Sequence, residues 1–192
     1  MAQTNLYCDL ILKIAIIKKY NEINMKQISP ASLQENAFEM IGKDWMLITA
    51  QKGDKVNTMT ASWGGLGVIW NKNVVTVYIR NSRYTKEFVD SQEKFSICVM
   101  PQNFRNELSY CGKISGRDED KIAKCGFSVT HHNAVPYFEE SRLVLICKKL
   151  YAQEMKAECF TDENKNLAET FYKDNDWHVM YIAEIEDILV AD

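Results

Sequence analysis

The chain has 192 residues, long enough to bury a substantial core in one domain without covalent staples. Hydrophobic residues make up 46% and charged residues 26%, the balance of an ordinary globular protein. A formal net charge of −3, with lysines scattered along the chain, argues against broad electrostatic binding to nucleic acid and offers no polybasic membrane patch.

From the N-terminus, residues 10–17 form an apolar run broken by Lys13, preceded by Asp9 and followed by Lys18 and Lys19. The run is too short to cross a bilayer. It also lacks the basic leading region and small-residue cleavage site of a signal peptide. Met25 reads as a more natural start. Residues 1–24 are therefore expected to be an extension outside a single domain at 25–192.

Helical spacing of Leu33, Ala37, Met40 and Ile41 predicts a helix over 32–41, with Ser32 as its N-cap. Strands are predicted at 45–51 and 57–62, with a turn at Gly53-Asp54 between them. Gly64-Gly65 breaks the second strand. A short strand at 66–70, a turn at 71–73 and the clearest strand in the chain, 74–80, follow. A helix at 85–90 leads to a strand at 95–100 that Pro101 closes. Helices are predicted at 103–110 and at 118–124, the latter with Asp118 and Glu119 in its first turn. Strands at 143–151 and 153–159, a helix at 164–172 and a strand at 178–185 complete the pattern. This is a mainly β chain with a few short helices, and a closed or nearly closed barrel would remove its edge strands.

The six cysteines, Cys8, Cys98, Cys111, Cys125, Cys147 and Cys159, contain no Cys-x-x-Cys pair, so zinc and iron–sulfur ligand sets are not supported. Cys98 and Cys147 lie in apolar runs and read as small buried residues. Reduced thiols and a cytoplasmic setting follow as expectations. His131-His132 has no partner at ligand spacing and reads as a surface turn, so no metal site is expected. Dinucleotide-binding glycine motifs, a Walker loop and a nucleophile elbow are absent from the sequence.

Three segments could carry chemistry. Residues 80–85 bring Arg80, Ser82, Arg83 and Thr85 together at a strand end. Arginine forks, hydroxyls and the first N–H groups of a helix are what a phosphate requires. The plainer reading is a solvated strand end and a helix cap. Residues 57–63 carry Asn57, Met59, Ala61 and Trp63 on one strand face and Thr58, Thr60 and Ser62 on the other. Three hydroxyls on one face could bond the polar edge of a ring, or could form an ordinary solvent-facing stripe. Residues 111–121 form a turn at Ser115-Gly116 followed by charges. Arg117 and Lys121 there could neutralise an anion, or belong to a solvated loop.

The order and spacing of these segments, together with Phe95–Pro101 and Val135–Leu143, resemble the flavin reductase-like family of FMN-binding split barrels, which includes the flavoredoxins. The resemblance runs from about residue 33 to about residue 189. It implies a six-stranded split barrel of Greek-key type that dimerises, with FMN near the subunit interface. It puts Asn57, Thr60, Ala61, Ser62 and Trp63 on the flavin-lining strand. It puts Arg80, Ser82, Arg83 and Thr85 on the phosphate turn. Ser115, Gly116 and Lys121 fall on the loop that approaches the ring. His178 falls where such proteins often carry a histidine, facing flavin or substrate, or satisfied in the core. Two positions depart from the pattern: Asn81 stands where proline often follows the first arginine, and Ile146 where an acidic residue is frequent. The implied activity is hydride transfer from NAD(P)H to flavin N5. The alternatives are an electron carrier serving a partner protein and a non-catalytic ligand-binding barrel.

Overall fold

Among the described residues, the most apolar stretches fold as strands covered on both faces. In the computed structural model, which describes residues 25–192, β1 is Met25–Ile28, β2 Met46–Lys52, β3 Lys55–Ala61, β4 Gly64–Ile69 and β5 Lys72–Arg80. Then come β6 Lys94–Val99, β7 Val129–His132, β8 Val135–Phe138, β9 Leu143–Glu154 and β10 His178–Ala191. The helices are α1 Tyr84–Ser91, α2 Arg105–Lys113, α3 Lys121–Cys125 and α4 Lys165–Phe171. The extension expected at residues 1–24 lies outside the described residues. Among the described residues, no helix is long and apolar enough to cross a membrane.

Antiparallel pairing orders the main sheet β3-β2-β6-β9-β10-β5-β4, with β1 added on β10. Hairpin neighbours (β2-β3, β4-β5, β9-β10) alternate with pairings of strands distant in sequence (β2-β6, β6-β9, β5-β10), as a Greek-key arrangement requires, and the path holds one strand more than the six the resemblance implied. The two ends of the path, β3 and β4, are joined by Ser62 and Trp63 alone. Such a link spans at most about 11 Å, so the sheet must roll until its ends adjoin.

The roll has an inside and an outside. Ile48, Phe95, Ile97, Leu145, Val77 and Tyr181 fill the inside. The alternate residues Leu47, Cys98, Val144 and Ile146 point outward, where Leu108 and Cys111 of α2 cover them together with Phe127 and Phe138. This double cover explains why β2, β6 and β9 read as apolar runs with little alternation. Cys98 and Cys147 are fully buried, as expected of small apolar residues.

Several local expectations are corrected. Residues 32–41 do not form an α-helix. A 3-10 turn spans Pro30–Ser32, Asn36 Oδ1 accepts from the N–H groups of Phe38 (3.0 Å) and Glu39 (3.3 Å), and a π-helical segment follows at Glu39–Asp44. Consecutive Met40 and Ile41 both turn into the core there, and Gly42 weakens an α-helical alternative. Residues 153–159 are not a separate strand. β9 runs on to Glu154 because it pairs with β10 as far as Val179, and Ala157–Cys159 is a 3-10 turn. His131 and His132 do not form a surface turn. They lie on β7, which pairs with β8 across Asn133 and Ala134, both at positive φ. Their Nε2 atoms stand 2.9 Å from Gln51 Oε1 and 3.1 Å from Asp187 Oδ2.

Candidate functional site

The seam of the barrel is where the sheet runs out of partners. β3 pairs with β2 along its length, and its other edge has no strand neighbour among the described residues. β4 begins two residues later, pressed against β5: a Cβ on Gly64 would stand 2.7 Å from Thr76 O. Only glycine fits that approach. Ser62 and Trp63, which belong to neither strand, therefore bridge a fixed gap in the sheet.

The hydroxyls of β3 do not face this gap as a stripe. Thr58 Oγ1 is buried, 2.9 Å from Thr49 Oγ1, and donates to Ile48 O at 3.1 Å. Thr60 Oγ1 donates to Leu108 O at 2.5 Å, tying β3 to α2. Asn57 is also buried, and its Nδ2 donates to Thr85 Oγ1 at 2.9 Å. A Cβ at Gly116 would meet Asn57 Oδ1 at 2.1 Å, so the 115–116 turn lies directly on the carboxamide. Asn57 and Thr85 thus act as a brace, locking the start of α1 and the 115–116 turn to β3.

Two hollows open on either side of Arg83. The smaller, about 100 Å³, is lined by Ser82, Thr85, Lys113, Ser115, Gly116 and Lys121 among others. The larger, about 200 Å³, is lined by Met59 to Trp63, Tyr78, Arg80 and His178. Arg83 and Met59 border both. The small hollow is cationic. Lys121 is almost fully buried and donates to Cys111 O (2.8 Å) and Ile114 O (3.0 Å), capping α2. Burial pulls its ammonium below the usual lysine range, and the charge of Arg83 adds to this. Arg83 donates to Gly112 O at 2.9 Å. The first N–H groups of α1 lack intrahelical partners and lie at the same place.

Arg80 and Ser82 have other partners. The Arg80 guanidinium donates to Asp176 O (2.7 Å) and Phe171 O (2.9 Å), at the end of α4. The Asp176 carboxylate accepts from Ser82 N and Oγ. Arg117 bonds Glu87 and Ser82 O and stacks over Tyr84. Ser115 Oγ accepts from Arg117 N, holding its own turn.

His178 is buried, its Nδ1 2.9 Å from the Tyr172 hydroxyl and its ring 5.1 Å from that of Trp63. Burial lowers its pKa to about 4, helped by the charge of Arg80, so the imidazole is neutral at pH 7. Beyond Trp63 lies a third hollow of about 550 Å³, sharing Ser62, Trp63 and Tyr78 with the second. Its far wall is the segment at 155–172.

The sequence-predicted residues thus gather around one seam, but divide by role. Thr60 to Trp63, Arg80, Ser82, Arg83, Thr85, Ser115, Gly116, Lys121 and His178 all border the hollows. Asn57 is a brace beneath them, and Ser82 and Arg80 are held by the segment after α4. Lys113 and Asp176 were not singled out. Lys113 sits inside the quoted 111–121 segment, but Asp176 lies in a loop with no sequence signal.

A model of the flavin reductase-like domain matches residues 40–192. The protein YddH of Escherichia coli (strain K12), itself uncharacterised, is 29% identical over 118 residues, 59% of this chain and 62% of that one. The match thus spans about three fifths of the length of that curated relative. In structure the chain is similar to a flavoredoxin from Methanosarcina acetivorans, with TM-score 0.60, 22% identity, and 76% of this chain and 67% of that one covered. It is also similar to an FMN-binding domain of a flavin reductases-like enzyme from Shewanella baltica OS155, with TM-score 0.64, 19% identity, and 88% and 78% covered. At these identities the structural likeness speaks for the split-barrel fold. Together with the match over residues 40–192, it establishes that the chain belongs to the flavin reductase-like family.

Proposed function

We propose that this chain is an FMN-binding oxidoreductase. The phosphate would sit among Arg83, Lys113, Lys121 and the start of α1, and the ring along residues 61–63. The observation that carries this reading is the joining of a small cationic hollow to a wider aromatic one across Arg83. The donor set suits a phosphate. Lysine has three donors and arginine five, so Lys121 and Arg83 keep some beyond those given to the Cys111, Ile114 and Gly112 carbonyls. The cradle is also backbone-lined, because no side chain fits at Gly116.

When bound, FMN would supply the redox chemistry itself, as an acceptor of hydride from a nicotinamide nucleotide. The residues of the chain bind and orient. Arg83 and Lys121 offset the phosphate charge, and the open edge of β3 offers unpaired backbone groups to the polar rim of the ring. Trp63, 43% exposed, offers an aromatic face. His178 stays neutral and moves no proton near pH 7. One observation favours a second reading, an electron carrier reduced by another protein. Among the described residues no charged side chain lines the 550 Å³ hollow beyond Trp63, so a dinucleotide pyrophosphate would find no cation there.

We also infer self-association. Val68 (73% exposed) and Trp70 (55%), with Tyr151 beside Trp70, form an apolar patch on β4 and β9 of the kind that subunit interfaces cover. The described cysteines are all free, in keeping with a reducing cytoplasm. The test of function is the visible spectrum after FMN addition and desalting, before and after anaerobic NADPH and then NADH. Retained flavin that bleaches supports the reductase, and retained flavin that does not bleach supports the carrier. Absence of both retained flavin and turnover with free FMN would remove the reading.

A further inference from the structure

The hollow beyond Trp63 differs in chemistry from the two that flank Arg83. At about 550 Å³ it has the size of a small-molecule site. Among the described residues, no Lys, Arg, Asp or Glu side chain lines it. The nearby guanidinium of Arg80 stands over the ring of Tyr172, turned to the carbonyls of Phe171 and Asp176. The walls are aromatic: Phe171 meets Trp63 edge-on at 5.4 Å, and Phe38 stands at the mouth, 89% exposed. Leu167 and Phe171 on the opposite lip are also exposed. So much bare apolar surface around one opening marks a binding site. The polar groups that Ser62 and Tyr78 bring are hydroxyls, able to donate to a carbonyl oxygen.

We propose that this hollow binds a neutral, planar ring compound, with quinones the chemical class that fits it. An uncharged lining disfavours an anionic ligand, which would lose its hydration without gaining a partner. Flat rings match the aromatic walls, and two carbonyl oxygens match the hydroxyls. The inference rests on the FMN reading only for its meaning. It names a second ligand beside the ring site, because Ser62, Trp63 and Tyr78 border both hollows.

The experiment is isothermal titration calorimetry of the full chain with 2-methyl-1,4-naphthoquinone, and separately with 1,4-naphthoquinone-2-sulfonate. FMN affinity is measured by flavin fluorescence on the same samples. The expected result is saturable micromolar binding of the neutral quinone and at least tenfold weaker binding of the sulfonate. Phe38→Asp and Leu167→Asp, both at exposed positions the fold does not depend on, should weaken the quinone at least tenfold and leave FMN affinity unchanged. Equal binding of both quinones, or unaltered binding by both variants, overturns the proposal. FMN binding without quinone binding overturns it while leaving the FMN reading intact, and quinone binding without FMN binding does the reverse. Two further outcomes also overturn it. Quinone binding that appears only after removal of residues 1–24 would give the hollow to the chain itself. Loss of self-association in Phe38→Asp, with quinone binding unaltered, would give it to a second copy.

Discussion

The carboxylate of Asp176 accepts both the backbone N–H of Ser82, at 2.9 Å, and its hydroxyl, at 2.5 Å. An anion from the chain itself therefore occupies the turn after β5. Arg80 completes the arrangement by holding two carbonyls of the same segment. This is a latch that fastens the end of α4 to the barrel. Asp176→Ala should lower stability by about 0.5–1.5 kcal/mol, the net worth of hydrogen bonds whose exposed Ser82 donors water can satisfy instead. FMN affinity should change by less than about threefold. Urea unfolding and flavin titration together check this; a large loss of FMN affinity with unchanged stability would reverse the assignment.

Arg83 should behave differently. It borders both hollows, and removing it takes charge-assisted bonds from a phosphate, worth about 1.5–3 kcal/mol each. Arg83→Ala should therefore weaken FMN at least tenfold more than Arg80→Ala does. Fluorescence titration of the two variants decides the matter, and equal losses would move the phosphate to Arg80.

Gly116 is the tightest point of the cradle. In Gly116→Ala the new methyl must displace Asn57 Oδ1, 2.1 Å away, and with it the 2.9 Å bond to Thr85. A cost of about 1–3 kcal/mol and a drop in FMN affinity are expected together. Gly65→Ala, where a Cβ meets nothing within 4 Å, serves as the control and should be close to neutral on both measures.

His178 sets a pH dependence whose sign follows from its lowered pKa of about 4. The unfolded histidine takes up a proton near pH 6.5, and the folded one resists until about pH 4. The burial of the neutral ring thus favours folding above pH 6.5, and this contribution is lost as pH falls from 6.5 to 4. The loss should be roughly 1–2 kcal/mol, discounted for solvent screening at the rim of the hollow. His178→Asn should flatten this part of the stability–pH curve. A curve that stays parallel to that of the unaltered chain would mean the imidazole is not held neutral.

The exposed patch of β4 gives an assembly prediction. Val68→Asp, at a position 73% exposed, should leave the fold intact and shift the sedimentation coefficient from dimer to monomer. A chain that sediments as a monomer before any substitution would remove the interface.

Much of the barrel is legible along the chain because β-branched runs and turn residues act locally. Residues 74–80 lie in β5, which starts earlier, at Lys72, so the turn expected at 71–73 falls instead on Trp70-Asn71, both at positive φ. The helices after β5 and Pro101 also lie close to their expected positions. The weak elements are those fixed by distant partners. The β7–β8 hairpin depends on Ser96 Oγ donating to Pro136 O, forty residues away, and the far end of β9 depends on β10.

The same division holds at the site. The sequence by itself determined that arginines, hydroxyls and glycines crowd three segments, because composition and spacing are local properties. Which of them face a ligand was decided only by the tertiary structure. Arg80 and Arg83 lie three residues apart and look equivalent in sequence. One is drawn to carbonyls at the end of α4 and the other to Gly112 at the end of α2, because side chains bond whatever polar group the fold brings nearest. Thr58 and Thr60 likewise turn from a surface stripe into internal ties once β2 and α2 pack against β3. The seam at Ser62-Trp63 exists only when the sheet is rolled, since it is the rolling that brings its two ends together across two residues.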